Sequence, residues 1–580
     1  MNALATTQEA PVVAGTSAPV TSRIGSTLLD DLISQQAELT AAESFAQWHT
    51  AGVSTESVYQ ALMPASNPGP DQQFAFEVDL DKCSGCKACV VACHTLNGLG
   101  ETETWRKVGL LTSTLPLLPV RQHVTTACHH CIDPGCLKGC PVLAYEKDPL
   151  TGIVRHLDDQ CFGCKYCTMM CPYEVPQYNA SLGIVRKCDM CSQRLTQGEA
   201  PACVQACPTQ AIRIALVNRS DFQRTASGAE KPVDSGAHKA AGTVANHHVD
   251  QPLVATAPSN GHTLPTTRYV SQRLGSAAQS SEQLRSRESM IDTIQPGHAP
   301  LVGMLVMTQA SVGAWCILAC TSLFGAIAPR SMTVAAWAAT MVGVIGVQLA
   351  LLHLGRPWLA FRSFLGWRTS WLSREAIAFG LYMAAATGSA LACSLESRLF
   401  PLAAFVTAST GIVAVVCSAM IYVATGRSLW SLKRTLGEFS ATALGLGLAI
   451  ASLALPIEQG PQWMMASALI CGMAFIPKWI DWRRAAQERL QWQDFSGRSG
   501  RFLHDTLSRP WRIAWFCLAA ALASGMTVIL GHWHSTGPIA LAPFVTMWVA
   551  CTASMFAAQL TVRWLGFASV VYPRMPGAGS

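Results

Sequence analysis

Apolar positions fall into two regimes along the 580 residues. Up to about residue 300 they come in short stretches separated by polar and cysteine-rich ones. FAFEVDLDKC (74–83) alternates apolar and polar positions like a strand. STLLDDLISQQAELTAAESFAQW (26–48) spaces its apolar residues for an amphipathic helix that packs on a neighbouring domain or partner. From residue 301 the apolar positions run on almost without interruption. They divide into eight spans, at 301–327, 333–353, 375–394, 401–425, 440–456, 462–480, 513–533 and 539–562. Most approach the ~20 residues that cross a bilayer as a helix, and the fifth is the shortest. In lipid only a helix or a closed barrel satisfies its own backbone, so these spans predict helices. Their many Gly, Ala and Ser residues suit close helix packing.

Two polar stretches separate these regimes from their surroundings. Residues 1–22, rich in Ala, Thr, Pro and Val, predict disorder. Residues 218–300, rich in Ala, Gly, Ser, Thr, Gln and His, predict a long flexible linker. Within it HKAAGTVANHHVD reads as a chance His-rich tract rather than a metal site.

Charge gives the spans a direction. Eight spans put the N-terminal block, the even-numbered loops and the tail on one side. Those loops carry Arg356, Arg362, Arg368 and Arg374, then Arg427, Lys433 and Arg434, then seven more arginines between Arg483 and Arg512. The opposite loops carry Arg330 and Arg398. Positive loops stay in the cytoplasm, so the expected location is the inner (cytoplasmic) membrane with residues 1–300 on the cytoplasmic side. Composition agrees: half the residues are hydrophobic and 13% charged, against ~25% charged in soluble chains. The net charge of +6 is modest and points to no nucleic acid partner. The N-terminus shows neither a Sec-type signal pattern nor a twin-arginine pair. That weakens a disulfide reading of the cysteines.

Sixteen of the 23 cysteines lie between Cys83 and Cys207, in four runs. CSGCKACVVAC gives Cys83, Cys86, Cys89 and Cys93. CHHCIDPGCLKGCP gives Cys128, Cys131, Cys136 and Cys140. CFGCKYCTMMCP gives Cys161, Cys164, Cys167 and Cys171. The last run is split into Cys188 and Cys191, then Cys203 and Cys207 in CVQACP. C-x2-C-x2-C-x3-C-P is the bacterial ferredoxin spacing, in which three thiolates hold one [4Fe–4S] cube and the fourth serves a neighbouring cluster. A tight turn can point three sulfurs at three irons, and the fourth cysteine leads into a helix toward the next cube. Zinc prefers two CxxC pairs or Cys/His mixtures at longer spacing, and four runs in series do not suit it. Four runs imply four [4Fe–4S] clusters, with no run short of a ligand. Spacing alone leaves the pairing of runs open between a nested and a sequential order.

The four-run block resembles the iron–sulfur subunit of the dimethyl sulfoxide reductase family of molybdopterin oxidoreductases. That resemblance implies a nested order. One cube would take Cys83, Cys86, Cys89 and Cys207, and its neighbour Cys188, Cys191, Cys203 and Cys93. A third would take Cys128, Cys131, Cys136 and Cys171, and the last Cys161, Cys164, Cys167 and Cys140. The lead-in FAFEVDLDKCSGCKACVVACHTLNGL resembles the sulfite-oxidising, quinone-linked branch. The apolar half resembles the family's eight-helix anchor subunit, most densely in LLHLGRPWLAFRSFLGWRTSWLSRE (351–375). The fold class this implies is an α+β ferredoxin-like double module of two nested 2×[4Fe–4S] units, joined by a long linker to an all-α eight-helix transmembrane bundle. The expected division is an N-terminal extension (1–72), a four-cluster domain (73–217), a linker (218–300), an anchor (301–565) and a tail (566–580).

Function follows from what each half can hold. Haem needs axial ligands, and His353, His532 and His534 lie only at span ends, so no haem is expected. Cys316 and Cys320 share a helix face and read as inert buried thiols. Quinone chemistry needs a proton acceptor near the membrane surface. His353 and Glu375 bracket the loop on the cluster side and can relay protons, and the resemblance points to the same two positions. The rival reading makes His353 a helix-end residue and Glu375 an ion-pair partner for Arg374 or Arg356. No room remains for a molybdopterin domain, so the chain reads as a non-catalytic electron conduit between a separate molybdopterin-containing catalytic subunit and the membrane quinone pool. Sulfite oxidation is the favoured direction, with a quinol-oxidising subunit of a dimethyl sulfoxide-type terminal reductase as the alternative. A redox-driven ion pump would want several charges buried in the spans, and the sequence shows few. Clusters that merely brace the fold are a third reading.

Overall fold

A computed structural model describes residues 61–113, 121–227, 252–271, 284–286, 299–323, 329–454, 460–487, 499, 502–534 and 541–577. The helix expected at 26–48 and the His-rich tract lie outside the described residues.

The cysteine-rich block opens with β1 (Gln72–Asp79), α1 (Ala88–Leu96), β2 (Lys107–Ser113), β3 (Arg121–Thr126) and α2 (Gly135–Gly139). It continues through β4 (Tyr145–Lys147), β5 (Val154–His156), α3 (Tyr166–Met170), β6 (Gln177–Asn179) and β7 (Ile184–Arg186). It closes with α4 (Ser192–Thr196), α5 (Ala202–Gln205), β8 (Ile212–Asn218) and α6 (Arg219–Ser227). β1 runs antiparallel to β8, with Gln72 opposite Asn218 and Val78 opposite Ile212. The two ends of the block therefore meet. β4 with β5 and β6 with β7 form short hairpins between them. α1 packs against α5, and α2 against α3. The alternation read in FAFEVD becomes a strand buried on both faces, since Phe74, Ala75, Phe76, Glu77 and Val78 are all covered.

Part of the stretch expected to be a flexible linker is folded onto this block. β9 (Arg268–Val270) pairs parallel to β1, with Glu77 opposite Arg268. Tyr269 is buried and its hydroxyl donates to Thr125 O at 3.2 Å. Ile132 N donates to Leu264 O at 2.8 Å, and Thr266 Oγ1 to His129 O at 2.7 Å. β10 (Leu284–Ser286) adds an edge to β2. The linker expectation is corrected for these residues: strands of three residues inside a polar stretch leave no periodic signal.

The membrane half contains α7 (Ala299–Leu323), α8 (Pro329–Leu351), α9 (Trp371–Ser394), α10 (Phe400–Val423) and α11 (Leu432–Ala451). It goes on with α12 (Gly460–Met473), α13 (Ile476–Gln487), α14 (Ser508–His534) and α15 (Leu541–Ala568). Among the described residues five helices, α7 to α11, are long and apolar enough to cross a membrane. The pair α12 and α13, bent by 43°, makes a sixth as one broken span. α14 and α15 are 27 and 28 residues long. α7 is the central helix, packed on α8, α10, α11 and α15. Its Gly313 lies so close to α11 that an added Cβ would stand 1.8 Å from Ala443 O, and one on Gly447 would stand 2.3 Å from Gly313 C. Small residues at such a crossing let two backbones touch, which is how helices gain packing in lipid.

The fifth helix starts earlier than its apolar run, at Leu432 rather than 440. That brings Glu438 into the bundle. Lys478 meets it at 2.7 Å, Arg434 at 3.3 Å and Arg563 at 3.9 Å, while Arg434 also holds Asp481 at 2.7 Å. The sparse buried charge expected from sequence is thus a mutually paired cluster, assembled from helices far apart in the chain.

Candidate electron-transfer site

The ferredoxin-type turns are visible in the backbone. In CSGCKAC, Gly85 and Lys87 have φ of +79° and +64°; in CFGCKYC, Gly163 and Lys165 have +73° and +61°. Glycine adopts such angles freely, whereas lysine does so at a cost of about 1–2 kcal/mol. The same pattern in both runs sets a left-handed turn directly before α1 and α3, the helices that carry Cys89 and Cys167.

Four neighbourhoods of thiols result. Cys83 lies within electrostatic reach of Cys86, Cys89 and Cys207. Cys93 lies beside Cys203 and Cys191, and Cys188 beside Cys93 and Cys203. Cys131 has Cys128, Cys136 and Cys171 around it. Cys167 has Cys164, Cys140 and Cys161. The first run is thus next to the last, and the second next to the third. The neighbourhoods are strung in order. Cys89 reaches Cys203, Cys188 reaches Cys128, and Tyr145 stands near both Cys136 and Cys167. The first is outermost, with Cys86 exposed.

All 23 cysteines lie among the described residues, and none is in a disulfide. No three or more His, Cys, Asp or Glu side chains among the described residues converge on a point where one ion would sit. A four-iron cube asks for a different arrangement, because each sulfur binds a different corner. The donor sets suit it. Cys128, Cys131, Cys136 and Cys171 line one pocket together with Tyr173 and Lys187. Backbone N–H groups point at the sulfurs, from Ala144 to Cys140 at 3.2 Å, from Met190 to Cys188 at 3.4 Å and from Ala211 to Cys207 at 3.2 Å. Such hydrogen bonds favour thiolate, the form that binds iron. Burial acts the other way and outweighs them, leaving Cys93 pushed up to about 12 and Cys140 and Cys171 to about 11. Metal binding is what deprotonates buried thiols of this kind.

The fourth neighbourhood sits on the membrane half. Arg356 N donates to Phe162 O at 3.0 Å, and its guanidinium reaches Leu182 O and Asp158 O, both at 3.2 Å. Gly366 N donates to Pro141 O at 2.7 Å, and Ser370 Oγ to Gly139 O at 2.7 Å. The loop between α8 and α9, which holds His353 near its start and leads into the first turns of α9 that carry Glu375, therefore grips the segments around Cys140 and Cys161. Tyr166, from the fourth neighbourhood, is buried and donates to Ile421 O of α10 at 3.0 Å. Glu375 is buried, within electrostatic reach of Tyr166, Tyr422 and Cys417. Burial and the Glu375 carboxylate both push the Tyr166 hydroxyl upward. His353 lies two residues beyond the end of α8 and is half-buried. His532 and His534 fall in the last residues of α14, away from this loop in the chain.

The C-terminal tail is a second clamp. Met575 is fully buried in the core of the cysteine-rich block. Tyr572 donates to the Glu174 carboxylate, Arg574 lies 3.6 Å from it, and Arg427 stacks over the Tyr572 ring at 4.0 Å.

Comparisons with known proteins agree with this geometry. Residues 120–216 match the 4Fe-4S dicluster domain, and residues 296–476 match the DMSO reductase anchor subunit (DmsC). The B subunit of the anaerobic dimethyl sulfoxide reductase of Haemophilus influenzae is 35% identical over 172 residues, 28% of this chain and 83% of the relative. The chain belongs to the iron–sulfur subunits of the dimethyl sulfoxide reductase family. The B subunit of the Escherichia coli K12 anaerobic dimethyl sulfoxide reductase is 35% identical over 152 residues, 24% of this chain and 72% of the relative. The thiosulfate reductase electron transfer subunit PhsB of Salmonella typhi is 36% identical over 155 residues, 26% of this chain and 80% of the relative. This family member is an iron–sulfur electron-transfer subunit and a multi-pass membrane anchor in one chain.

Sequence reasoning passed over Tyr166, Tyr422, Arg106, Lys187 and Met575. Lys187 directly precedes Cys188 and could have been noticed. The others lie far in sequence from the groups they approach.

Proposed function

We propose that the chain carries electrons through four [4Fe–4S] clusters between a molybdopterin-containing catalytic subunit and membrane quinone, in the oxidation of sulfite. The observation that carries this reading is the contact between the fourth cysteine neighbourhood and the His353–Glu375 loop. When bound, the clusters would supply one-electron steps. Cys83, Cys86, Cys89 and Cys207 would hold the outermost, nearest a docked partner. Cys93, Cys188, Cys191 and Cys203 would hold the second, and Cys128, Cys131, Cys136 and Cys171 the third. Cys140, Cys161, Cys164 and Cys167 would hold the last, against the membrane. The paired packing of α1 on α5 and α2 on α3 supports two ferredoxin-like modules, and the lengths of α14 and α15 support a bundle of eight spans.

Quinone reduction takes up two electrons and two protons, which balances sulfite and water giving sulfate, two protons and two electrons. Glu375 is the group we assign to deliver a proton at the quinone, with His353 at the other end of the loop as its exchange point with water. The arginine-rich loops on the iron–sulfur side support a cytoplasmic location for that domain, where sulfite would be met. The names of the relatives favour a second reading, in which quinol is oxidised and electrons leave for a terminal reductase. The experiment is to purify the chain anaerobically with its copurifying partner and follow sulfite-dependent reduction of a quinone analogue, with EPR on the same sample. Clusters reduced by sulfite and quinol formed would support sulfite oxidation. Clusters that answer to quinol but not to sulfite would replace it with the reductase.

A further inference from the structure

Two charged side chains are buried in the iron–sulfur domain close to its thiols. Arg106 is 2% exposed and Lys187 is 3%. Neither forms an ion pair among the described residues. Arg106 gives one hydrogen bond, from Nη1 to Thr125 Oγ1 at 3.3 Å, while its Nε and Nη2 find no partner there. Its guanidinium lies 4.5 Å from the Phe76 ring centre. Lys187 Nζ donates to two carbonyls, of Val154 and, at 2.8 Å, of Cys188. A buried charge needs a compensating one nearby, or desolvation makes the site unfavourable. Two carbonyls and one hydroxyl do not provide it.

Sulfur is the main neighbour of both cations, with the Asp189 carboxylate also within electrostatic reach of Lys187. Arg106 stands within electrostatic reach of Cys89 from the first neighbourhood and of Cys93, Cys188 and Cys203 from the second. Thr125 ties it to the first, since its Oγ1 also lies 3.7 Å from Cys89 Sγ. Lys187 stands within reach of Cys188 from the second neighbourhood and of Cys128 and Cys136 from the third, whose pocket it lines. Each cation therefore occupies a junction between consecutive neighbourhoods. The next junction, between the third and fourth, holds the neutral Tyr145.

We propose that Arg106 and Lys187 are positioning residues that set the reduction potentials of the clusters on either side of them, Arg106 for the first and second and Lys187 for the second and third. The inference rests on the four-cluster reading above. Gaining an electron makes a cube and its thiolates more negative, so a fixed buried cation favours the reduced form. One cation shared by two sites raises both potentials. Charge and burial near the cluster are among the factors that spread iron–sulfur potentials.

The test is an EPR-monitored redox titration of the full chain carrying Lys187→Gln, Lys187→Met or Lys187→Arg, with iron content measured on each sample. With iron retained, the Gln and Met variants should move two of the components to lower potential together. The expected shift is at least about tenfold in the reduced-to-oxidised ratio at fixed potential, ~59 mV for one electron. Lys187→Arg, which keeps the charge, should restore most of the shift. Unchanged potentials with full iron would overturn the proposal, as would an equal shift of all components. Loss of iron in both neutral variants while Lys187→Arg keeps it would also overturn it, in favour of a role in assembly. Fewer than four components in the unaltered chain would count against the four-cluster reading itself, and the paired shift would still judge Lys187.

Discussion

Gly355 offers the sharpest perturbation of the contact between the iron–sulfur domain and the membrane loop. An alanine Cβ there would stand 2.0 Å from Gly183 O, 2.6 Å from Gly183 C and 2.8 Å from Gly183 Cα. All three are backbone atoms, and Gly183 is itself pinned between Gly355 and Gly163. Ordinary contact begins near 3.5 Å, so the loop must retreat by about 1.5 Å. The Arg356 N to Phe162 O bond, 3.0 Å long, would stretch to about 4.5 Å, past any hydrogen bond. The Arg356 guanidinium would lose its carbonyls at Leu182 and Asp158 with it. Three partly solvated bonds at about 0.5–1.5 kcal/mol each put the local cost at about 1.5–4.5 kcal/mol. That opens the contact without unfolding either half, because the bonds from Gly366 and Ser370 remain. The assay mixes pre-reduced Gly355→Ala protein with a quinone analogue and follows cluster reoxidation, beside limited proteolysis of the loop. We expect full iron content, slower reoxidation and new cleavage near residues 353–366. Gly380→Ala, where an added Cβ meets nothing within 4 Å, should behave as the unaltered chain. Normal reoxidation and an uncut loop in Gly355→Ala would refute the contact as the route to the membrane.

Cys140→Ala should remove one cluster signal and stop quinone reduction, while the remaining clusters still accept electrons from the catalytic side in an EPR experiment. Met575→Ala should release the tail from its buried seat at a cost of about 2–4 kcal/mol, read as faster hydrogen exchange at 572–577. Lys478→Met should destabilise the bundle in a detergent melt. The cost should be about 1–3 kcal/mol, below that of a broken isolated pair, because Arg434 and Arg563 still face Glu438; adding Glu438→Gln should deepen the loss, since Arg563 then has no carboxylate partner. Stripping iron with a chelator should unfold the cysteine-rich block, seen as lost near-UV dichroism, since Arg106 and Lys187 would keep their charge with no bound cluster beside it.

The cysteine spacing and the apolar spans were legible in the chain because both are local patterns. CSGCKAC and CFGCKYC dictate a turn within seven residues, and a 20-residue apolar run dictates a helix wherever it lies. What stayed hidden depends on distance in sequence. Lys478 and Arg563 meet Glu438 only once α11, α13 and α15 pack together. Tyr269 and Met575 sit in polar or terminal stretches that carry no period, yet both are buried in the cysteine-rich block. Arg106 has the appearance of an ordinary charged residue beside a strand, and its isolation from carboxylates is a property of the fold. The same holds for Tyr166 against Ile421, two residues 255 positions apart with three apolar helices between them.

The most direct test of the central claim is the reoxidation of pre-reduced clusters by a quinone analogue in the anaerobically purified full chain, beside Glu375→Gln at equal iron content. The expected result is near sixteen irons per chain, rapid reoxidation of every cluster in the unaltered protein, and clusters that stay reduced in the variant. Reoxidation at the same rate in both would contradict it, and would move the quinone site away from the His353–Glu375 loop.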